Sequence, residues 1–251
     1  MNRTANYELT ILVPIYNEIE GLEPLGKQLG TFLPTAKKKS CVLLVDDGSN
    51  DGSLEGIKQL CKERAHFFYI QLAQNGGLSA ALKAGIDYTD SPYVGYIDAD
   101  LQTAPEDFNV LLDFVEEYEL VTGVRAQRKD SFFKNFQSKV ANSFRRMMTN
   151  DGATDTGCPL KIMHTDLAKQ LPLFTGMHRF FPALIQLLQG KVKELPVQHF
   201  PRETGTSKYH LWNRLWSPFV DCFAFRWMRK RVIINRIADE NVTESAKNKL
   251  N

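Results

Sequence analysis

The sequence of 251 residues predicts an α/β fold, in which a doubly wound, mostly parallel sheet is flanked by helices and followed by a C-terminal amphipathic helical segment. Two observations carry this prediction. Short β-branched runs alternate with stretches of helical periodicity through the first 124 residues, at a spacing of roughly 20–30 residues. Acidic turns follow several of these runs, and α/β sheets place their functional groups at the carboxyl ends of the strands.

Five strands are predicted in the first half, each a short apolar run that ends at a turn residue or an acidic residue. They cover residues 9–14, 41–45, 67–72, 93–97 and 120–124. Helices are predicted between and after these strands, because apolar side chains recur there at helical spacing. They cover residues 22–32, 54–61, 78–88 and 105–115. Right-handed crossovers of this kind build a parallel sheet.

The second half is less regular. A helix is predicted around an i, i+4 stripe formed by Phe132, Phe136, Val140, Phe144 and Met148. A strand is predicted at residues 191–197 and a polar loop at residues 202–209. The last stretches are an amphipathic segment of aromatic residues interleaved with Arg and Lys, residues 211–236, and a polar tail, residues 237–251.

The net charge of +2 conceals an uneven distribution. Residues 1–124 carry 9 Lys and Arg against 19 Asp and Glu, whereas residues 125–251 carry 22 against 10. An acidic half suits cation binding, and a basic half suits phosphate groups or an anionic membrane surface. An RNA- or membrane-binding module without enzymatic activity would use the basic half, yet it leaves the acidic turns of the first half unexplained.

The sequence lacks the motifs of several common classes of protein. Its four cysteines are scattered, which predicts neither a disulfide framework nor a zinc ribbon and favours a reducing, cytosolic setting. Neither a signal peptide nor an apolar run of ~20 residues able to cross a bilayer is recognised. Because no Gly-x-Gly-x-x-Gly follows the first strand and no Gly-Lys-Ser/Thr occurs, dehydrogenase and P-loop readings are disfavoured.

Two acidic turns are the strongest candidates for chemistry. Asp98 and Asp100, just after the fourth predicted strand, could bind one Mg²⁺ or Mn²⁺ ion, with Gln102 adding an oxygen; the alternative is that they only cap a helix. A second acidic turn, at the end of what is predicted to be the neighbouring strand, favours the functional interpretation. There Asp46 or Asp47 could accept hydrogen bonds from a nucleobase or ribose. Asp51 is predicted to cap the next helix.

Four motifs occur in a distinctive order and spacing. They are Pro14-Ile-Tyr16-Asn17-Glu18, Val45-Asp-Asp-Gly-Ser49, Asn75-x-Gly77 and Asp98-Ala-Asp-Leu-Gln102. Together they resemble family 2 inverting glycosyltransferases of the GT-A fold, and more specifically the branch that makes polyprenyl-phosphate and dolichyl-phosphate sugars. The resemblance covers roughly residues 8–210 and implies one domain over residues 1–210, with a nucleotide- and metal-binding half (1–124) and an acceptor-binding half (125–210).

The resemblance implies roles for individual residues. The nucleotide pocket would be lined by Pro14, Tyr16, Asn17, Glu18, Asp46 and Asp47. The metal on the donor diphosphate would be held by Asp98, Asp100 and Gln102. The acceptor phosphate would be received by Arg125 and Arg128, and the loop closing over the diphosphate would carry Arg202, Ser207 and Lys208. Where the branch usually reads Asp-x-x-Ser-Gly-Phe-Arg, this chain departs from it and reads Asp155-Thr-Gly-Cys-Pro-Leu-Lys161.

The implied reaction moves a sugar from a UDP- or GDP-sugar to a polyprenyl phosphate. Such an acceptor needs cations rather than a general base, because its second pKa lies near ~6. The alternative is a hydroxyl acceptor of a cell-envelope glycan or glycolipid, which needs a base, and Asp155 is the candidate. A nucleotidyltransferase is a further possibility, but it would want a Gly-rich basic loop after the first strand, where Glu18-Ile-Glu20-Gly21 is acidic.

The aromatic and cationic segments predict where the protein works. Buried core is the favoured interpretation of the stripe in residues 132–148, whereas residues 212–231 are better explained by attachment to an anionic membrane surface. The predicted location is therefore cytoplasmic and peripheral, at the cytoplasmic face of the membrane. No nucleic-acid partner is predicted, and the oligomeric state is left open. His178, before an apolar helix, could touch the acceptor.

Overall fold

The structure, a computed structural model, describes residues 2–125, 143–200 and 213–233, with the side chains of residues 213–218 left out. Within these residues, seven strands form one sheet in the order β3-β2-β1-β4-β6-β5-β7. The strands are β1 (Leu9–Ile15), β2 (Ser40–Asp46), β3 (Phe67–Gln71), β4 (Tyr93–Tyr96), β5 (Leu120–Arg125), β6 (Lys161–His164) and β7 (Val192–Val197). All neighbours pair in parallel except β6, which runs antiparallel to both β4 and β5.

Helices cover both faces of this sheet. They are α1 (Leu22–Phe32), α2 (Ser53–Glu63), α3 (Leu78–Asp87), α4 (Phe108–Leu112), α5 (residues 143–149), α6 (Thr165–Lys169), α7 (Phe181–Leu187) and α8 (Asn213–Arg229). Side chains alternate along β1, so that Ile11 and Val13 join a core with α1, α2 and α4, while Leu12 joins a second core with α3, α6, α7 and α8. The sheet is thus buried on both faces, as its apolar strands predict.

The predicted α/β fold is confirmed, with two differences. The predicted strands correspond to β1–β5 and β7, and a C-terminal helix, α8, is present. Strand β6 is missing from the sequence prediction, because it has only four residues and begins with a lysine. The helix predicted over residues 105–115 is instead a 3₁₀ turn, Pro105–Asp107, followed by the five-residue α4.

The order in which successive strands are added to the sheet reverses at β1. Strands β2 and β3 follow on one side and β4 lies on the other, so the crevice outside the carboxyl ends of β1 and β4 is the topological switch point. The prediction that the two acidic turns follow neighbouring strands is wrong, because β1 separates β2 from β4. The turns lie at the same edge of the sheet, about 10 Å apart by strand spacing, with the loop after β1 between them.

The predicted aromatic stripe and the amphipathic segment meet on one side of the molecule. Phe144 of α5 stacks on Phe219 of α8 with a centroid distance of 4.9 Å, and Met148 is buried, which agrees with the core interpretation of the stripe. Phe132, Phe136 and Val140 lie outside the described residues. No helix in the described parts of the chain combines the length and apolar character needed to cross a membrane.

Candidate functional site

The loop after β1 is held by hydrogen bonds to the loop after β2. The Asn17 N–H donates to Ser49 Oγ (2.9 Å), and the Asn50 N–H donates back to Asn17 Oδ1 (2.8 Å). The Glu18 N–H donates to Ser53 Oγ (3.0 Å). Asn17 adopts a left-handed φ of 53°, which asparagine tolerates better than most residues because its short side chain hydrogen-bonds to nearby backbone. The structure therefore brings these two predicted nucleotide-binding residues to the switch point beside the Asp46 turn.

The remaining predicted residues of this loop lie at the same edge. Pro14 is paired with Val45 across the β1–β2 ladder, and Tyr16 follows the strand with 37% of its surface exposed. Asp51 accepts hydrogen bonds from the N–H (2.9 Å) and the hydroxyl (2.6 Å) of Ser53, the first residue of α2. The N-cap position itself is occupied by Gly52, so Asp51 binds the start of the helix from one residue before the N-cap. Burial opposes the charge on Asp51, but the Ser53 hydrogen bonds outweigh it and hold the pKa of this carboxyl below its ordinary value.

Asp47 ties the loop after β2 to the turn before α3. Its Oδ1 accepts from the Gly76 N–H (2.8 Å), and its Oδ2 accepts from the Gly77 N–H (2.8 Å) and from Asn75 Nδ2 (3.0 Å). Burial raises the pKa of Asp47, against the two glycine hydrogen bonds. Both carboxylate oxygens are therefore engaged in holding the backbone, and a nucleotide contact of Asp47 remains a prediction.

Asp46 differs from its neighbour because part of its carboxylate has no partner. The side chain is fully buried; Oδ1 accepts from the Ser49 N–H (3.2 Å), while Oδ2 is buried without a hydrogen bond among the described residues. Gly48 shapes the turn, since it has a φ of +70° and an added Cβ would lie 2.7 Å from the Asn75 nitrogen. Buried polar atoms are nearly always paired, so Oδ2 of Asp46 is a candidate acceptor for a ligand N–H or O–H.

The turn after β4 carries the second acidic pair. The Tyr96 hydroxyl donates to Oδ1 of Asp98, and Oδ1 of Asp100 accepts from the Gln102 N–H (3.3 Å). Leu101 has a left-handed φ of 57°, a strained conformation for a leucine, at the switch point. Burial raises the pKa of Asp98 to about 6, and the charge of Asp100 adds to this, while the Tyr96 hydrogen bond opposes it.

The donor set of this turn fits a cation that is shared with a ligand. Oδ2 of Asp98 and Oδ2 of Asp100 accept no hydrogen bond from any described residue, and carboxylate oxygens are the ligands that Mg²⁺ and Mn²⁺ prefer. The described residues contain no group of three or more His, Cys, Asp or Glu side chains able to hold a metal by themselves. Two carboxylates plus phosphate oxygens is the usual arrangement for such an ion.

Gln102, the third predicted metal ligand, joins this turn to the segment after β7. Its backbone oxygen accepts from the Phe200 N–H (2.9 Å) and lies 3.1 Å from His199 Nδ1. Its side-chain Nε2 donates weakly to the Phe200 oxygen (3.4 Å). The acidic turn thus contacts Phe200, two residues before Arg202. Arg128, Arg202, Ser207 and Lys208 themselves lie outside the described residues.

Arg125, at the end of β5, forms a two-pronged ion pair with Asp155. Its Nε donates to Oδ2 (2.8 Å) and its Nη2 to Oδ1 (2.7 Å), while its backbone N–H also donates to Oδ2 (3.1 Å). Both side chains are only 13% exposed. Burial opposes both charges, but the pairing holds the pKa of Asp155 below and that of Arg125 above the ordinary values. Gly157 leaves room for the guanidinium, since a Cβ there would lie 2.9 Å from Nη2.

Glu194 of β7, which the sequence analysis does not single out, supports this pair. Its carboxylate accepts from the N–H (2.8 Å) and the hydroxyl (2.7 Å) of Thr154 and from the Asp155 N–H (3.2 Å). Only the structure could identify it, because the residue stands in an ordinary strand pattern 39 positions from Asp155. Glu194 thus fixes the backbone that presents Asp155 to Arg125.

Lys161 stands where the family pattern has an arginine. Because β6 runs opposite to β4 and β5, its first residue lies at the same edge as the ends of those strands, opposite Tyr96. The side chain is 1% exposed, and its Nζ donates to the carbonyl oxygens of Cys158 and, at 3.5 Å, Thr156. Loss of water lowers the pKa of Lys161. This lysine therefore stabilises, through hydrogen bonds to its carbonyl oxygens, the turn that follows Asp155.

Comparison with known proteins gives a consistent result. A profile of the family described as Glycosyl transferase family 2 matches residues 10–171. Over 208 residues the chain is 34% identical to a dodecaprenyl-phosphate galacturonate synthase of Rhizobium johnstonii. Over 204 residues it is 32% identical to an undecaprenyl-phosphate 4-deoxy-4-formamido-L-arabinose transferase of Salmonella typhimurium. Each alignment covers 80% of this chain, which spans 62% of the length of either relative.

Solved structures share the architecture at low sequence identity. A mannosyltransferase from Pyrobaculum calidifontis, in complex with GDP-Man and Mn²⁺, superposes with a TM-score of 0.64 at 19% identity, covering 87% of this chain and 63% of that one. A glucosyl-3-phosphoglycerate synthase from Mycobacterium tuberculosis, in complex with Mn²⁺, UDP and its product, gives a TM-score of 0.66 at 14% identity, covering 90% and 81%. At these identities the likeness concerns the fold.

Proposed function

The chain belongs to glycosyl transferase family 2, and from this membership we propose that it moves a sugar from a UDP- or GDP-sugar to a polyprenyl phosphate, with inversion at the anomeric carbon. Its fold is the GT-A-like α/β fold that the sequence predicts. The names of the two relatives, one a dodecaprenyl-phosphate and the other an undecaprenyl-phosphate enzyme, support a polyprenyl-phosphate acceptor. We assign residues 1–124 to the nucleotide and metal and residues 125–210 to the acceptor.

The pairing of Arg125 with Asp155 is the observation that carries the choice of acceptor. A hydroxyl acceptor needs a general base, for which Asp155 is the candidate, and a base works best with a pKa near the operating pH. Asp155 has the opposite character, because both of its oxygens accept from Arg125 and its pKa lies below the ordinary value. A phosphate acceptor, already ionised, needs no base and is served by a fixed cation.

The geometry leaves Arg125 able to bind a phosphate while it is paired. A guanidinium has five N–H donors, of which Asp155 takes one on Nε and one on Nη2, leaving three on the outer edge. Asp155 therefore acts as a positioning residue that fixes the guanidinium plane, with Glu194 behind it. We propose that Arg125 and Arg128 receive the acceptor phosphate and hold it in line with the anomeric carbon.

The donor half of the site follows the same logic. The unpaired oxygen of Asp46 would accept from the nucleoside, beside a pocket lined by Pro14, Tyr16, Asn17 and Glu18. Asp98, Asp100 and Gln102 would hold Mg²⁺ or Mn²⁺, and such an ion, when bound, neutralises charge on the departing diphosphate. Tyr96 orients Asp98 through its hydroxyl. Arg202, Ser207 and Lys208 are proposed to contact the diphosphate from the segment that follows Phe200.

A donor panel tests the proposed reaction. The protein is incubated with Mn²⁺ or Mg²⁺, a short polyprenyl phosphate and radiolabelled UDP- or GDP-sugars, and label is counted in the organic phase. We expect one donor to label the lipid, and the polyprenyl alcohol of equal chain length to remain unlabelled because it lacks the phosphate that Arg125 would bind. Label on the alcohol, or on a glycan hydroxyl only, would support the alternative acceptor class instead.

We also propose that the face of α8 turned away from the core rests on an anionic membrane at its cytoplasmic side. Cys222 and Phe225 are buried, whereas Phe223 and Trp227 are 51% and 62% exposed on the same helix. Cations accompany the exposed rings: Arg226, Arg229, Lys230 and Arg231 are all exposed. Aromatic rings among cations suit the headgroup region of a bilayer.

Vesicle binding tests this membrane face. The double variant Phe223→Ser/Trp227→Ser is expected to bind vesicles that contain anionic lipid at least about tenfold more weakly than the natural sequence, because two rings no longer enter the bilayer. Tyr88→Ser, which removes a ring that is 61% exposed at the end of α3, is the matched control and should bind normally. Cosedimentation at low and high salt measures the effect, and equal binding of all three proteins would contradict the proposal.

A further inference from the structure

His178 lies in a 3₁₀ turn (Met177–Phe180) that precedes α7 and packs on α3. Its Nδ1 is 2.9 Å from Ser79 Oγ, near the beginning of α3. The Gly176 N–H donates to the same hydroxyl oxygen at 3.0 Å. Ser79 therefore holds both the ring, at Nδ1, and the backbone just before its turn, and Ser79 lies two residues after Gly77, whose N–H donates to Asp47.

Ser79 engages one nitrogen of the His178 ring. The Ser79 oxygen accepts from the Gly176 N–H and also forms a hydrogen bond with His178 Nδ1, in which either atom can be the donor because a hydroxyl oxygen has two lone pairs. The contact directs Nδ1 towards α3, and in a neutral ring the other nitrogen, Nε2, can then donate or accept a hydrogen bond. Burial, together with the charges of Arg179 and Lys161, lowers the pKa of His178 to about 3, so the ring is neutral at physiological pH.

The ring lies on the same side of the sheet as the acidic turn. Tyr96, whose hydroxyl reaches Asp98, belongs to the core that α3 and α7 share, and that core includes Met177 and Phe180, the first and last residues of the turn that carries His178. His178 is only partly buried, and no described residue accepts from its Nε2.

We propose that His178 recognises the sugar of the donor, its Nε2 forming a hydrogen bond with a hydroxyl group of the sugar ring held beside Asp98. The inference rests on the proposed function and adds to it a residue that contacts the sugar rather than the nucleotide. A neutral ring nitrogen suits an uncharged hydroxyl, whereas phosphate oxygens are better served by the cations of the same site. Ser79 is the positioning residue that sets which ring nitrogen faces the sugar.

Two substitutions separate sugar recognition from a merely structural role. His178→Asn places an amide where Nδ1 was, so it can keep the Ser79 contact but has nothing at the Nε2 position. His178→Gln reaches the Nε2 position with its side-chain amide but leaves the Nδ1 position empty. The exposed His66, whose Nδ1 is 2.7 Å from the Tyr7 hydroxyl at the opposite edge of the sheet, provides the matched control His66→Asn.

Calorimetry with Mn²⁺ compares the Kd of UDP-glucose, UDP-galactose, UDP-glucuronate and GDP-mannose with that of UDP and GDP alone. We expect the natural sequence to bind one nucleotide sugar more tightly than its nucleoside diphosphate. His178→Asn should lose about tenfold in affinity for that nucleotide sugar and keep the affinity for the diphosphate, while His178→Gln and His66→Asn stay close to the natural values.

Other outcomes overturn the inference. If His178→Asn binds normally and His178→Gln binds weakly, the ring serves only the Ser79 contact. If both variants lose affinity for the nucleoside diphosphate as much as for the nucleotide sugar, or if only the KM for the lipid phosphate changes, His178 does not read the sugar. If the natural sequence binds nucleotide sugars but neither variant differs from it, this inference fails alone; if it binds none of them, the proposed function fails as well.

Discussion

Replacing Asp100 by alanine is expected to reduce sugar transfer by about 10²–10³-fold and to remove the dependence of UDP or GDP binding on Mn²⁺. Asp98 and Asp100 each keep one carboxylate oxygen without a described hydrogen bond, and these two oxygens, with Gln102, are the proposed protein ligands of the ion. With the Asp100 oxygen gone, the ion keeps a single carboxylate ligand beside Gln102, and the diphosphate charge is poorly neutralised. Initial rates and Mn²⁺ titrations measure the two effects.

The control for this substitution is Asp113→Ala. Asp113 is an aspartate whose side chain is 52% exposed and pairs with Lys37 at the surface, so its loss removes the same charge from the protein at little cost. Its turnover should equal that of the natural sequence. If Asp100→Ala were as active as Asp113→Ala, or if a chelator left the natural protein fully active, the proposed role of the acidic turn would be contradicted.

Replacing Arg125 by alanine is expected to lower turnover with polyprenyl phosphate by about 10²–10³-fold while the Kd of the nucleotide sugar changes by less than about twofold. Arg125 is the last residue of β5, and β6 lies between β5 and the strand that precedes the acidic turn. The N–H groups of its guanidinium that do not bind Asp155 remain available to a ligand. The loss should fall on the acceptor, because the donor is held by the loops after β1, β2 and β4. Arg125→Lys keeps the charge without the planar fork and should recover only part of the rate.

A double variant separates the proposed phosphate contact from loss of folding. Arg125→Ala leaves Asp155 as a buried charge without its partner, which destabilises a protein by about 3–5 kcal/mol. Arg125→Ala/Asp155→Ala removes both charges and should unfold at a higher temperature than the single variant, yet remain as inactive with the lipid phosphate. If the double variant regains activity along with stability, Arg125 is structural, and the acceptor phosphate binds elsewhere.

Much of the fold could be predicted because buried parallel strands leave a simple pattern. The runs that became β1 and β2 are mostly apolar, since helices cover both faces of the sheet. Strand β6 has no such pattern: it begins with Lys161, and only the space between β4 and β5 makes it a strand. The order of the strands was equally hidden, because a sequence does not show which strands become neighbours, and β1 came to lie between the two acidic turns.

The candidate site divides in the same way. Residues near one another in the chain, such as Asp98 and Asp100, could be placed at the sheet edge from their position after a strand. Roles that depend on distant partners could not. Asp47 binds a turn 29 residues later, and Asp155 binds an arginine 30 residues earlier. The difference between Asp46 and Asp47, and the pairing of Asp155 with Arg125, therefore emerge only from tertiary contacts.

The antiparallel strand β6 has a mechanical consequence. It is hydrogen-bonded to β4 on one side and to β5 on the other. The carboxylates after β4 and the guanidinium at the end of β5 are therefore attached to one continuous hydrogen-bonded sheet. Two lobes joined by a hinge could bring their reactants together only by moving. Here the distance between the leaving diphosphate and the incoming phosphate would be set by β6, with one strand spacing on either side of it. The two binding groups would then be aligned once the protein has folded, and no further ordering of the protein would be needed to orient the two substrates.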